Sequence, residues 1–340
     1  MIYWLLLPTI TLLSLVLTGA LRRYALSKSL LDIPNARSSH SMPTPRGGGV
    51  AIVVVFLFSL PVFGVIGSVQ WNLIWALLGT GAGIAVLGFL DDHGHIAARW
   101  RLLGHFAGAS WALFWINGLA PIQILGVSLD LSWAGYLFAA VYLVWMLNLY
   151  NFMDGIDGIA SVQAICACLG AALIYWLAGY MELVVAPLLL AFAVFGFLFW
   201  NFPPARIFMG DAGSGFLGVM LGILSLYAAW TAPQLLWMWL ILLGVFIVDA
   251  TLTLVRRLVR GDKVYEAHRS HAYQYASRQF GKHLPVTLAV LAVNFFVLLP
   301  IALCVGLSKI DGFVGLILAY IPLLALAFRY HAGALEKTDL

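Results

Sequence analysis

Charge is what this sequence has least of. Only 9% of its 340 residues are Asp, Glu, Lys or Arg and 63% are hydrophobic, whereas soluble domains carry roughly 25% charged residues. A soluble globular protein is excluded, and the composition is that of an integral membrane protein. Cysteine is almost missing too. Cys166, Cys168 and Cys304 all lie inside apolar runs, so neither a disulfide framework nor a thiolate metal site is indicated. Long polar stretches are also lacking: the two longest, 22–47 and 256–285, are too short for a soluble domain. There is no internal repeat and no low-complexity tract. The first apolar run, 2–21, has its arginines after it rather than before it. That order is the reverse of a cleaved signal peptide, so the run is expected to remain as a first span. The net charge of +4 gives no reason to expect a nucleic-acid partner.

What is present is a series of apolar runs near the roughly 20 residues that a membrane crossing takes. Eleven are read: 2–21, 48–67, 71–90, 102–118, 132–150, 159–180, 183–200, 215–231, 234–255, 286–306 and 311–328. The fourth is short, and the apolar piece 121–129 after it reads as a re-entrant or interfacial segment. The expected fold class is an all-α polytopic membrane protein with ten or eleven transmembrane helices in a single domain. Loops on the cytoplasmic side collect Lys and Arg. With the N-terminus outside, seventeen of the eighteen basic residues fall on the inner side, Arg37, Lys263 and Lys337 among them, and only Lys309 falls outside. The N-terminus is therefore expected outside, on the periplasmic side, and the C-terminus in the cytoplasm. Most acids sit at the inner ends of the runs, with Asp249 partly inside the ninth.

Five stretches at those inner ends carry the polar chemistry. The densest is Asn148-Leu149-Tyr150-Asn151-Phe152-Met153-Asp154-Gly155-Ile156-Asp157-Gly158. Helix capping accounts for one or two such residues, not four. Oxygen donors of this kind suit Mg²⁺, which uses few protein ligands and leaves room for phosphates. Asp91-Asp92 ends one run, with Arg99 and Arg101 opening the next. Paired carboxylates raise each other's pKa unless a cation lies near. The pair reads as a base or a metal-associated site, with an ordinary charged loop as the alternative. Gly210-Asp211-Ala212-Gly213-Ser214 precedes a span beginning near Gly215, whose N-terminus would favour an anion. Glu266-Ala267-His268-Arg269-Ser270-His271 suits a diphosphate, whereas Arg256, Arg257 and Arg260 read as contacts to lipid head groups. Ser41-Met42-Pro43-Thr44-Pro45-Arg46-Gly47-Gly48-Gly49 reads equally as a phosphate-contacting loop or as a plain hairpin entry. Carboxylates, cations and an Mg²⁺-type donor set at the membrane edge point to phosphoryl chemistry between a soluble donor and a lipid. An ion-coupled transporter would hold its polar groups nearer the midplane, and a non-catalytic scaffold would not need four polar motifs on one face.

Taken in order, Asp91-Asp92, Asn148-x-x-Asn151-x-x-Asp154-Gly-x-Asp157-Gly, Phe208-Met209-Gly210-Asp211-x-Gly-Ser214 and the His268/His271 loop resemble the polyprenyl-phosphate N-acetylhexosamine-1-phosphate transferases over nearly the whole chain. Within that family the His268-Arg269-Ser270-His271 loop is most similar to the bacterial enzymes that start O-antigen and lipopolysaccharide synthesis. It lacks the triple histidine of the muramoyl-pentapeptide transferase of peptidoglycan synthesis. The resemblance implies transfer of N-acetylhexosamine-1-phosphate from a UDP-sugar to undecaprenyl phosphate, with Mg²⁺ (or Mn²⁺), in the bacterial inner membrane among membrane lipids, by a homodimer. It implies a site built from loops 22–47, 91–101, 148–158, 201–214 and 256–285. Its implied roles are catalytic for Asp91, Asp92 and Asp154, metal-binding for Asn151 and Asp211, and donor-binding for Asn148, Asp157, His268, Arg269 and His271. Arg46, Arg99 and Arg101 would hold the lipid phosphate, with the choice between the last two left open by a one-residue difference in spacing.

Overall fold

The computed structural model describes residues 2–34, 42–94, 96–262 and 268–335. Arg37, Ser41, Lys263, Glu266, Ala267 and Lys337, named above, lie outside the described residues. Helices stand at all eleven predicted places. They are α1 (Ile2–Ser27), α2 (Val50–Val65), α3 (Trp71–Gly94), α4 (Ala98–Ile116), α5 (Ser132–Met153), α6 (Ile159–Ala178), α7 (Met181–Asn201) and α8 (Asp211–Thr231). The ninth run is two helices, α9 (Gln234–Leu242) and α10 (Gly244–Arg260), bent by 75°. A helix that the sequence did not signal, α11 (Ala272–Phe280), forms in the basic loop. The tenth run is α12 (Leu284–Val293), a π turn at Asn294–Leu298, and α13 (Leu299–Gly306); α14 (Gly312–Arg329) completes the set. Among the described residues eight spans are long and apolar enough to cross a membrane, and the bent pair makes a ninth. At 16 residues α2 falls below that length, and α4 carries Arg99 and Arg101 in its first turn. The protein is an all-α multi-pass membrane protein.

Two short antiparallel pairs join the helices: β1 (Leu31–Asp32) with β2 (Thr44–Pro45), and β3 (Ile122–Ile124) with β4 (Val127–Leu129). The piece 121–129, expected as a re-entrant or interfacial segment, is a β-hairpin. Its turn is made by Leu125 and Gly126, both at positive φ, the conformation that two-residue hairpin turns need. The hairpin docks through Trp237 Nε1, which donates to the Gln123 carbonyl at 2.8 Å, and through the Leu125 N–H, which donates to Asp311 at 3.1 Å.

The centre of the bundle is α8. Every residue from Ala212 to Leu226 is buried, as expected for a helix that is apolar on all sides. Gly213, Gly218 and Gly222 let its neighbours approach closely. A Cβ on Gly218 would meet the backbone of α5, and one on Gly213 would lie 2.7 Å from the Gly49 Cα. Helices α5 and α3 pack on two sides of it. Its first residue is Asp211, so the packing that centres α8 also sets one acidic side chain at the middle of the bundle end.

Candidate active site

The carboxylate doublet ends α3 rather than lying in a loop, because α3 continues to Gly94. Consecutive helical residues point about 100° apart, and the two aspartates diverge accordingly. Asp91 accepts from Arg101 Nη1 at 2.5 Å and from the Ile96 N–H at 2.8 Å. Asp92 pairs with Arg46 Nη2 at 2.8 Å and accepts from the Asp211 N–H at 3.1 Å. The same Arg46 Nη2 lies 2.5 Å from Asp211 Oδ1, so one guanidinium bridges two carboxylates. Arg46 is therefore engaged with protein acids here, and not presented singly to a phosphate. The N-terminus of α8 starts at Asp211, not near Gly215, and the anion it attracts is the Asp92 carboxylate. This follows from the partial positive charge of a helix start.

Of the two arginines, Arg101 faces Asp91. Arg99 is exposed and lies over the Trp100 ring at 5.7 Å. The reason is that α4 begins at Ala98, earlier than hydropathy indicates. Arg99 and Arg101 are therefore helical and two residues apart, which puts them on different faces.

The C-terminal end of α5 supplies the next wall. Asn151 Oδ1 accepts from Ser214 Oγ of α8 at 2.8 Å. The Asn148 amide turns back onto the Val144 carbonyl at 2.7 Å, so its donor is spent within its own helix. The Asp154 N–H donates to the Tyr150 carbonyl at 3.1 Å, and its carboxyl makes no hydrogen bond to any described residue. Burial pushes its carboxyl well above the usual range; Arg46 opposes this, while Asp211, Asp157 and Asp92 add to it. Asp157 is held by the protein itself, accepting from the Ala205 N–H at 3.0 Å and pairing with His283 Nδ1 at 3.1 Å. Asn201, buried at the end of α7, accepts from the Gly158 N–H at 3.1 Å and donates to the Ile207 carbonyl at 3.0 Å. Neither Asn201 nor His283 was singled out in the sequence. The one signal for Asn201 was a polar residue closing a long apolar run.

The histidine loop is built on α10 and α11. Asp249 of α10 is buried and accepts from the Ala272 N–H at 2.9 Å, the Tyr273 N–H at 3.1 Å and His271 Nδ1 at 3.4 Å. It thus caps α11 in trans and pairs with His271. Tyr273 Oη donates to the Phe152 carbonyl at 2.9 Å, which ties α11 to the end of α5. A Cβ on Gly155 would collide with that hydroxyl. His268 and His271 lie with ring centroids 4.8 Å apart, each 6.4 Å from the Phe152 ring. Burial, then His271 and Arg257, lower the His268 pKa to about 3. His268 therefore enters as a neutral imidazole. Arg269 follows it on the same half-buried strand of loop. The arginines at the end of α10 do not read as lipid contacts. Arg256 donates to the Ala332 carbonyl at 2.7 Å and Arg260 to the Gly333 carbonyl at 2.8 Å, while Arg257 and Arg260 both pair with Asp262.

Where α3, α4, α5 and α8 meet is a narrow cavity of ≈ 20 Å³, whose polar lining is Asp91, Arg101, His105, Asn151 and Asp211; the histidine loop does not line it. Among the described residues no three His, Cys, Asp or Glu form a ready metal cage. The donor set still suits a hard cation that uses few protein ligands. Its oxygen donors are the carboxylates of Asp91 and Asp211 and the amide of Asn151. Asp92 and Asp211 already share one positive group, and Asp154 carries a carboxylate without a hydrogen-bond partner. Mg²⁺ fits these residues.

The fold and these walls define a multi-pass membrane protein with a charged, oxygen-rich site at one end of its helices. Residues 74–229 match the profile of Glycosyl transferase family 4. The chain is 29% identical to the "Probable undecaprenyl-phosphate N-acetylglucosaminyl 1-phosphate transferase" of Bacillus subtilis (strain 168), over 83% of this chain and 79% of that one. It is 27% identical to the "Undecaprenyl-phosphate alpha-N-acetylglucosaminyl 1-phosphate transferase" of Thermotoga maritima, over 80% and 81%. It is 31% identical to the "Phospho-N-acetylmuramoyl-pentapeptide-transferase" of Bacillus pumilus (strain SAFR-032), over 76% and 84%. The chain belongs to the polyprenyl-phosphate N-acetylhexosamine-1-phosphate transferases of Glycosyl transferase family 4.

Proposed function

We propose that the protein transfers N-acetylhexosamine-1-phosphate from a UDP-sugar to undecaprenyl phosphate, at the cytoplasmic face of a bacterial inner membrane. The observation that carries this reading is the convergence of Asp91, Arg101, Asn151 and Asp211 on one cavity, with Arg46 bridging Asp211 to Asp92 beside it. In the transfer, an oxygen of the lipid phosphate forms a bond to the sugar-bearing phosphorus. The bridging P–O bond breaks and UMP leaves with the bridging oxygen. The second pKa of a phosphate monoester is about 6, so the acceptor is already a good nucleophile at neutral pH. Asp91 then serves by orienting Arg101, which holds the acceptor phosphate. Asn151 and Asp211 would hold Mg²⁺, with Asp92 adding negative charge around it and the buried Asp154 carboxyl beside them as a further catalytic-site group. When bound, Mg²⁺ neutralises the donor diphosphate. His268, Arg269 and His271 receive the donor's diphosphate and sugar. Asp157, braced by His283, faces the nucleotide.

The test is UMP release by purified protein with undecaprenyl phosphate and a panel of UDP-N-acetylhexosamines, with and without Mg²⁺. Release with at least one sugar is expected, with loss on chelation. The identity to a phospho-N-acetylmuramoyl-pentapeptide-transferase favours a second reading, so the panel includes UDP-N-acetylmuramoyl-pentapeptide. Turnover of that donor alone would replace the first reading. No release with any donor would defeat both. The role in O-antigen or lipopolysaccharide synthesis rests on the His268-Arg269-Ser270-His271 loop and is tested by complementing a strain that lacks the initiating transferase.

A further inference from the structure

Four helices line the cavity, and each contributes to it a pair of residues four apart in sequence, with Ile84 and Gly88 of α3 in addition. On α3 these are Asp91 and Leu87, on α4 Arg101 and His105, on α5 Asn151 and Leu147, and on α8 Asp211 and Gly215. Four residues are about one turn, roughly 6 Å along the axis. The lining therefore has two layers. The outer layer is Asp91, Arg101, Asn151 and Asp211, all charged or polar. The inner layer is Leu87, Leu147, Gly215 and His105, joined by Ile84 and Gly88 of α3, and in it only the histidine is polar.

His105 is 8% exposed, and its Nδ1 is buried with no hydrogen-bond partner among the described residues. Leaving an imidazole unsatisfied in an apolar layer is costly. Its neighbours on the three facing helices show what an inner layer made only for packing looks like. The cavity's ≈ 20 Å³ admits one oxygen-sized group, since a single water needs about 10–15 Å³. The opening of that space is flanked by Arg101, an anion-binding group.

We propose that His105 is a binding residue for the acceptor's phosphate monoester. One phosphate oxygen enters the inner layer and accepts a hydrogen bond from the imidazole, while Arg101 takes a second oxygen at the outer layer. This assignment rests on the transferase reading for the identity of the acceptor. His105 holds the phosphate from the membrane side, which keeps the lipid headgroup in line with its own chain.

The test uses the purified full-length protein in detergent, with His105→Leu to keep bulk and His105→Gln to keep a neutral donor. Thermal shifts with undecaprenyl phosphate and with undecaprenol read phosphate binding without turnover. The unsubstituted protein should be stabilised by the phosphate and not by the alcohol. His105→Leu should lose that difference and raise KM for undecaprenyl phosphate by on the order of tenfold or more, as expected for one hydrogen bond to a charged group. KM for the UDP-sugar should stay within about twofold, and His105→Gln should recover both readouts. If His105→Leu does not fold, His105→Met replaces it. Equal behaviour of the Leu and Gln variants, or a change confined to the UDP-sugar KM, overturns the proposal. If no donor is turned over and the phosphate-dependent shift still requires His105, the transferase reading fails and the binding site stands. If UMP is released and the shift ignores His105, the proposal fails alone.

Discussion

Arg46 holds together two carboxylates that would otherwise repel. It reaches Asp92 and Asp211 with one nitrogen, at 2.8 and 2.5 Å. Arg46→Ala should lower the rate of UMP release by about 100-fold or more, the scale of losing a preorganised charge. Arg46→Lys should recover part of this, because the geometry asks for a point charge and not a two-pronged fork. Arg101→Ala should raise KM for the lipid, while Arg99→Ala, out on the Trp100 ring, should leave initial rates within about twofold. His268 makes a prediction about pH. Its folded pKa of about 3 lies below the ordinary value of about 6.5. Between these values the unfolded chain binds a proton that the folded loop refuses, so stability is full above about pH 6.5 and falls as pH drops toward 3. Thermal midpoints at neutral and acid pH should show this decline, and His268→Gln should reduce it. The sequence alone made Asp91, Asp92, Asn151 and Asp211 legible, since polar groups closing apolar runs are conspicuous. It could not separate Arg99 from Arg101, because that choice depends on where α4 starts. Nor did it single out His105, which lies inside an apolar run.

The broken ninth span is the element least visible in the sequence. Hydropathy averages across the break at Leu243, and no proline marks it. What permits the break lies far away in sequence. Gln163 Nε2 of α6 donates to the Leu242 carbonyl at 2.8 Å, and Asn294, at the π turn, donates to Gln163 Oε1 at 2.8 Å. Gln163→Leu should leave that carbonyl unsatisfied and cost about 1–3 kcal/mol, read as a fall in thermal midpoint. The break in turn aims α10 so that Asp249 meets the start of α11. Asp249→Ala should cost about 1–2 kcal/mol as a lost cap. Because the cap holds His268 and His271, the same variant should weaken donor binding more than acceptor binding. Gly155→Ala should act on the same contact from the other side, since the added methyl collides with the Tyr273 hydroxyl.

At the scale of the whole molecule, the described segments rich in Lys and Arg meet at one end of the bundle. Arg22 donates to the Arg206 carbonyl, Arg46 meets Asp211, and Arg260 holds Gly333. The β3–β4 hairpin and the start of α14 close the other end. With all three cysteines replaced, a cysteine at position 262 should react with membrane-impermeant maleimide only from the cytoplasmic side, and one at position 128 only from outside. Labelling in the opposite sense would invert the proposed topology. By itself the sequence determined that this is a multi-pass membrane protein, roughly where its helices run, and which ends bear charge. Those properties follow from the cost of burying charge in lipid and from the length of a crossing, and both act locally along the chain. Only the tertiary structure decided which charges pair, that Asp249 caps a helix, and that His105 shares a cavity with Asp211. Those facts arise from the packing of α3, α4 and α5 around α8, which sets residues distant in sequence side by side.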